Sequence, residues 1–387
     1  MSELKVPSKA QLNVLKDHYH NRRYDDAEKL AKSITEQFPK HQFSWKLLGT
    51  LFRQKGMHAE SLIVNQTAVK LIPQDAGAHN NLALAFKELG KFQEAEVSLR
   101  EAIALKPDFA EAHINLAIAL KKMGNLQEAE AILRQAIAIK PNSVEAYGSL
   151  GIIAYINGDL ESAIVNIEKA NAIDPKSKPT KFLLSAFRSA KLFQKSRFYK
   201  DNTSNLTSRA GLIINPLILN RTVEADLVSI LHKMNSREFE QTTVNDARYG
   251  NGRCSLDFNF FRESHPIIKT VSEDLTRIMM EAVESEIYIY DSFFNILSAG
   301  SGTAPHDHIN GLDKELGFVN QKYSLVYYLS VGDQDCSQPG ILKLHNPAEE
   351  IVPSEGMITI IPAARKHSAV YNGKKDRIMI GVNFYSF

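Results

Sequence analysis

The sequence predicts a chain in two parts: an all-α helical solenoid, then a β-rich jelly-roll domain with flanking helices. Three observations carry this expectation. Prolines at 39, 73, 107, 141 and 175 and glycines at 56, 90, 124 and 158 keep a 34-residue period. That period ends by about residue 210, and after two helix-like stretches the pattern turns to strands. In this β region the histidines gather at His306, His308, His345 and His367.

Alanines lock into the period. Ala27, Ala95, Ala129 and Ala163 share one repeat position, and Ala68, Ala102, Ala136 and Ala170 share another. Small residues at fixed places let two helices approach closely, and the glycine marks the turn between them. Leu48, Leu82, Leu116 and Leu150 set the apolar register of the first helix, with the rings of Trp45, His79, His113 and Tyr147 three residues earlier. His79 and His113 read as packing residues in the slot that Trp45 fills, since a metal site needs a third ligand nearby.

This 34-residue unit resembles the tetratricopeptide repeat. The resemblance covers residues 8 to 177 in five copies, the first degenerate, within a solenoid domain placed at 1–178. It implies a concave groove for a protein or peptide partner. Asn81 and Asn115 hold equivalent positions on adjacent first helices. Either their amides hold a peptide backbone, as in the asparagine ladders of similar arrays, or they are solvated helix residues.

After Pro175 the segment KSKPTKFLLSAFRSAKLFQKSRFYK carries eight Lys/Arg and no acid. Phe182, Leu183, Ala186, Phe187 and Ala190 recur at helical spacing, which predicts an amphipathic helix capping the solenoid. Its basic residues read as solvated rather than as a nucleic-acid patch. The polar stretch DNTSNLTSRAG reads as a linker, so cap and linker are placed at 179–205 and the second domain at 206–387.

That domain opens with two helix-like stretches, TVEADLVSILHKMN and HPIIKTVSEDLTRIMMEAVESE. Five strands follow: IYIYDSFFNIL, KYSLVYYLSV, GILKLH, GMITIIP and DRIMIGVNFYSF. Strands of this length, separated by turn-rich loops, suit a jelly roll or related barrel. A strand opening at His306 puts His308 on the same face and Asp307 on the other. Two imidazoles and a third from a later strand can fill one face of a metal and leave the other open. His367, after GMITIIP and a short loop, is the best third candidate. Arg377, ten residues on, can clamp a carboxylate.

From about residue 220 onward the chain resembles the 2-oxoglutarate/Fe(II)-dependent oxygenases, in particular the prolyl 4-hydroxylase-like branch and related bacterial proteins. The likeness is an ordered series: a strand ending at Leu297, Gly300, the His306 motif, the YYL strand, GILKLH, an apolar strand, His367, Arg377 and Asn383. It implies a double-stranded β-helix that binds Fe(II), with 2-oxoglutarate as cosubstrate and O2 as oxidant. His306, His308 and His367 would be the ligands. Arg377 would bind the distal carboxylate, with Tyr328 donating to it and Ser324 close by; Tyr328 also reads as a core aromatic. Many relatives place a carboxylate where His308 stands, whereas here the acid comes one residue early. A tyrosine that some relatives carry before the glycine is replaced by Ile296 or Leu297.

Nearly balanced charge, 46 Lys+Arg against 44 Asp+Glu, gives no bulk signal for nucleic acid or membrane. Cys254 and Cys336 fall in no ligand spacing, no apolar run reaches a membrane span and the N-terminus lacks a signal-peptide core, so a reducing cytoplasm is expected. The leading expectation is a dioxygenase that hydroxylates a protein, peptide or metabolite, with the repeats recruiting a partner or substrate. One alternative is a repeat scaffold with an inactive barrel. Another is a three-histidine cupin-type dioxygenase that uses no 2-oxoglutarate.

Overall fold

The computed structural model describes residues 6–195, 213, 215–239 and 247–387. The stretch expected to be the linker lies outside the described residues. The chain divides into two compact units, Met1–Thr180 and Lys181–Phe387.

In the first unit, five helix pairs follow one another: α1 (Lys9–His20) with α2 (Tyr24–Gln37), α3 (Gln42–Gln54) with α4 (His58–Leu71), α5 (Ala76–Glu88) with α6 (Phe92–Leu105), α7 (Ala110–Lys122) with α8 (Leu126–Ile139), and α9 (Val144–Ile156) with α10 (Leu160–Ile173). The alanines at both fixed repeat positions are fully buried, as close helix packing requires. The turn glycines at 56, 90, 124 and 158 all adopt positive φ, from 71° to 85°. In the degenerate first repeat Arg22 takes that place, with φ 59°. The ring slot has a further use: Trp45 Nε1 donates to Pro39 O at 2.9 Å, and His79 Nε2 lies 2.8 Å from Pro73 O. Each ring thus ties its helix to the loop before it. His113 bonds instead within its own first turn, Nδ1 to Phe109 O at 3.0 Å. Asp75 caps α5 through Ala78 N and accepts Lys46 Nζ at 2.8 Å, linking one repeat to the next.

The helix expected to cap the solenoid spans Lys178–Lys195. Its Phe182 belongs to the second unit, with its ring centroid 4.3 Å from that of Tyr385.

In the second unit the described strands form two antiparallel sheets. They are β1 (Leu217–Asn220), β2 (Ser236–Glu238), β3 (Arg248–Tyr249), β4 (Gly252–Ser255), β5 (Ile287–Leu297), β6 (Ser301–His306), β7 (Lys322–Ser330), β8 (Leu342–Leu344), β9 (Glu349–Ile351), β10 (Met357–Pro362), β11 (His367–Tyr371) and β12 (Arg377–Ser386). One sheet has the order β1-β10-β7-β12-β5-β4-β2, the other β3-β6-β11-β8-β9. From β5 onward the chain alternates between them, with β8 and β9 as the one consecutive pair in the smaller sheet.

The long strands are apolar on both faces because both are covered. Leu325, Tyr327 and Leu329 of β7 pack in one cluster with Ile268, Val271, Leu275, Met279 and Val283 of the helix Pro266–Val283. Those five recur every three or four residues, a single helical stripe. Tyr328 and Val326 point the other way, into a cluster with Leu342, Leu344, Ile361 and Met379 drawn from both sheets. No helix among the described residues is long and apolar enough to cross a membrane.

Candidate metal centre

Strand pairing assembles the cluster. His306 ends β6, His367 opens β11, and the two are direct partners across that antiparallel pair. Here the structure corrects the sequence reading: the strand ends at His306 rather than beginning there. Alternation along a strand therefore does not bring in His308. The loop does so, because His308 N donates to Ala363 O at 2.9 Å. Asp307 is turned back on its own loop, its Oδ1 accepting from Ile309 N at 3.1 Å, and it stands outside the cluster.

The ring centroids lie 4.4 Å apart for His306 and His367, 5.0 Å for His306 and His308, and 5.1 Å for His308 and His367. One nitrogen from each falls within 4.8 Å of the others, close enough for all three to meet one ion. Burial pushes His367 down to about 4 and His308 well below its ordinary value, and the neighbouring imidazoles push the same way. These two rings are therefore neutral near pH 7. Nδ1 of His306 faces Ala304 O at 2.8 Å and Nδ1 of His367 faces Arg365 O at 3.2 Å. A carbonyl only accepts, so each of these Nδ1 atoms carries a proton, and in the neutral His367 ring that leaves Nε2 with a lone pair for a metal. His345 is not in the cluster; it pairs with Ser368 Oγ at 3.0 Å.

Arg377 opens β12 and is wholly buried. One terminal nitrogen donates to Pro339 O at 3.2 Å and to Gly340 O, and its guanidinium carbon lies 5.1 Å from the centre of the Tyr328 ring. Its Nε has no partner, and no carboxylate pairs with it among the described residues. Gly340, at φ 79°, leaves the room: a Cβ there would overlap the guanidinium. Burial lowers the pKa of Arg377, while Tyr328 opposes the shift. Tyr328 and Ser324 are both buried, four residues apart on β7, so they share a face. Tyr328 is a core aromatic as well, packed with Leu342 and Ile361. Asn383 donates to Asp291 Oδ1 at 2.8 Å.

Sequence reading missed the support behind His308. Asp313, fully buried, closes a capping box with Asn310 at the start of the helix Gly311–Leu316. It also accepts Lys322 Nζ at 2.9 Å and Tyr385 Oη at 2.6 Å. Lys322 O in turn receives Ala363 N, and Ala363 O holds His308. The spacing Asn310-x-x-Asp313 was a readable signal for the cap.

In the repeats, the two equivalent asparagines differ. The Asn115 amide is engaged on both sides, donating to Asn80 Oδ1 at 3.1 Å and accepting Lys87 Nζ at 2.9 Å. Asn81 is half-buried, and no such bond to it is seen among the described residues.

Tetratricopeptide repeat family models match residues 15–76, 86–151 and 144–177, so the N-terminal part carries tetratricopeptide repeats, units that mediate protein interaction. All three matches end before residue 178. Among solved structures, a thermophilic repeat protein from Thermus thermophilus is 24% identical over 48% of this chain and 98% of its own, with TM-score 0.41. A MamA protein is 23% identical over 43% and 91%, with TM-score 0.38. YrrB, described as a repeat protein with an unusual peptide-binding site, is 17% identical over 46% and 91%, with TM-score 0.38. No curated protein matches the chain.

Proposed function

We propose that the chain is a 2-oxoglutarate- and Fe(II)-dependent dioxygenase that hydroxylates a protein, peptide or metabolite, with the repeats bringing a protein partner or substrate. The observation that carries this reading is Arg377, a buried guanidinium with no carboxylate partner, in the same unit as three converging imidazoles. A buried cation without a counter-charge is strongly disfavoured, so the site fits an anion. The histidines fit a divalent metal, because neutral imidazole suits iron and its first-row neighbours. The alternation of β5 to β12 between two sheets supports a double-stranded β-helix.

Bound iron, with its cosubstrate and O2, would supply the oxidising chemistry that hydroxylates a C–H bond. The chain's own residues bind and orient. His306, His308 and His367 hold the metal through one ring nitrogen each, and Arg377 and Tyr328 bind the distal carboxylate, with Ser324 on the same face. Three neutral ligands leave the ion one positive charge more than a set with one carboxylate, which strengthens its hold on an anionic cosubstrate. Arg377 favours this reading over a cupin-type dioxygenase, which has no use for a buried arginine there.

Anaerobic titration with Fe(II) and 2-oxoglutarate should develop metal-to-ligand absorption, and admitting air should yield succinate. His308→Ala is expected to lose the absorption and His308→Asp to keep it. The family models, which match within residues 15–177, support a second reading: a repeat scaffold with an inactive barrel. Folded protein that gives neither absorption nor succinate would decide for the scaffold.

A further inference from the structure

Two arginines other than Arg377 face the space between the sheets of the second unit. Register places the first. Tyr328, Met379, Asn295, Cys254 and Arg237 are successive direct partners across β7, β12, β5, β4 and β2. Direct partners in an antiparallel pair point to one side. This side is the inner one, because Met379 and Cys254 pack in a cluster with Tyr371 of β11 in the other sheet. Arg237 therefore ends the row that begins at Tyr328. The second, Arg248, comes from the opposite wall. It lies on β3, paired with Thr303 of β6 three residues before His306, and its Nη1 donates across the gap to Asn295 Oδ1 at 3.3 Å.

Phenyl rings hold both guanidinium groups. The guanidinium carbon of Arg248 lies 5.2 Å from the ring centre of Phe258, 5.7 Å from that of Phe293 and 5.8 Å from that of Phe239. That of Arg237 lies 5.3 Å from the same Phe258 centre. Phe293 has room because its partner on β12 is Gly381, where a Cβ would overlap its ring. A guanidinium set against rings uses its faces, which leaves its N–H edge for a planar acceptor. Arg237 Nε is buried and has no hydrogen-bond partner among the described residues. Two guanidinium groups gathered on one ring form a positive corner, and its low-dielectric walls strengthen the pull on an anion. The corner borders the histidines: Arg248 helps hold His308 below its ordinary pKa, behind burial, the other imidazoles and Lys322.

We infer that Arg248 and Arg237 bind a carboxylate of the molecule presented to the metal, so that the substrate is a carboxylic acid, free or as an acidic side chain. The inference rests on the proposed function and names the class of its substrate. Two strand spacings, about 10 Å, separate Asn295 from Tyr328, so this carboxylate is distinct from the one assigned to Arg377. A carboxylate suits the corner better than a phosphate. Its single charge costs less to bury than a double one, and its planar oxygens match a guanidinium edge.

The test uses the full chain under anaerobic conditions with Fe(II) and saturating 2-oxoglutarate, so that Arg377 is already occupied. Three probe pairs set a carboxylate against its amide: butyrate and butyramide, benzoate and benzamide, and glutamate and glutamine each blocked at both ends. At least one carboxylate is expected to bind at least about tenfold more tightly than its amide in calorimetry, and to shift the metal-to-ligand absorption. Butyrate or benzoate as the preferred probe identifies a free acid, and blocked glutamate an acidic side chain. Arg248→Gln combined with Arg237→Gln should remove the preference and leave 2-oxoglutarate affinity, circular dichroism and melting unchanged. If that pair does not fold, Arg237→Gln alone, on an edge strand, should still reduce the preference. No preference in any pair, a preference that survives the substitutions, inorganic phosphate bound more tightly than every carboxylate, or 2-oxoglutarate affinity lost along with the preference overturns the inference. Failure of the proposed function reads differently: wild-type protein then develops no absorption with 2-oxoglutarate before any probe is added, which removes both.

Discussion

Arg377 can be tested by one substitution. Arg377→Ala should weaken 2-oxoglutarate binding by about 1.5–3 kcal/mol, the range for a hydrogen bond to a charged group; calorimetric titration that finds unchanged affinity removes the cosubstrate assignment. Gly340→Ala should act on the same arginine without touching its charge, since a methyl there meets the guanidinium and φ 79° is strained for alanine. Acidity is a second handle. His367 titrates at about 4 in the folded chain against about 6.5 unfolded. Between those values the unfolded chain binds more protons, so the metal-free second unit should lose stability as pH falls from about 6.5 to 4, a loss that levels off below. Urea unfolding of the wild type and of His367→Asn at pH 7 and 5 should show the larger loss in the wild type. Of these residues, His306, His367 and Arg377 were legible because their order and spacing survive in one dimension. The route by which His308 arrives was not. It depends on the carbonyl of Ala363 and on the Lys322–Asp313 pair, contacts between segments that sequence alone does not bring together.

At the level of elements, repetition made the helices readable, and the first repeat shows what a lapse from it does. Arg22 sits at φ 59° where the other repeats have glycine. A side chain in that region is strained by roughly 1–2 kcal/mol, offset in part by the greater freedom of unfolded glycine. Arg22→Gly should therefore stabilise the first unit, by up to about 1 kcal/mol, in thermal or urea unfolding. Asp75→Ala should destabilise it by about 1 kcal/mol, because one carboxylate serves both the α5 cap and Lys46. Those bonds hold the Asp75 pKa below its ordinary value although burial pulls it up. Its contribution is thus present above the unfolded carboxylate pKa and fades as pH falls through the lower folded one. The long strands β5, β7, β10 and β12 were equally plain as apolar runs. β6 was not, since SGTAPH has small and polar residues and is a strand because β3 and β11 flank it. The two- to four-residue strands β2, β3, β4 and β9 carry too little pattern to be seen.

For the whole molecule, two compact units with separate cores should unfold in two steps, and a ligand of the metal centre should move one of them. Zn(II), which imidazole also binds, should raise only the second unit's transition, by about 2.7 kcal/mol at a hundredfold excess over its Kd. A calorimetric scan in which both transitions shift together would contradict that independence. The uncompensated guanidinium of Arg377 has a further consequence at this scale. On the proposed function, a small dicarboxylate bound there would offset that charge, and the fraction folded would rise with the supply of that metabolite. Since proteolysis in a cell acts on unfolded chains, the abundance of this protein would follow its cosubstrate even before any turnover, making its half-life a metabolic gauge.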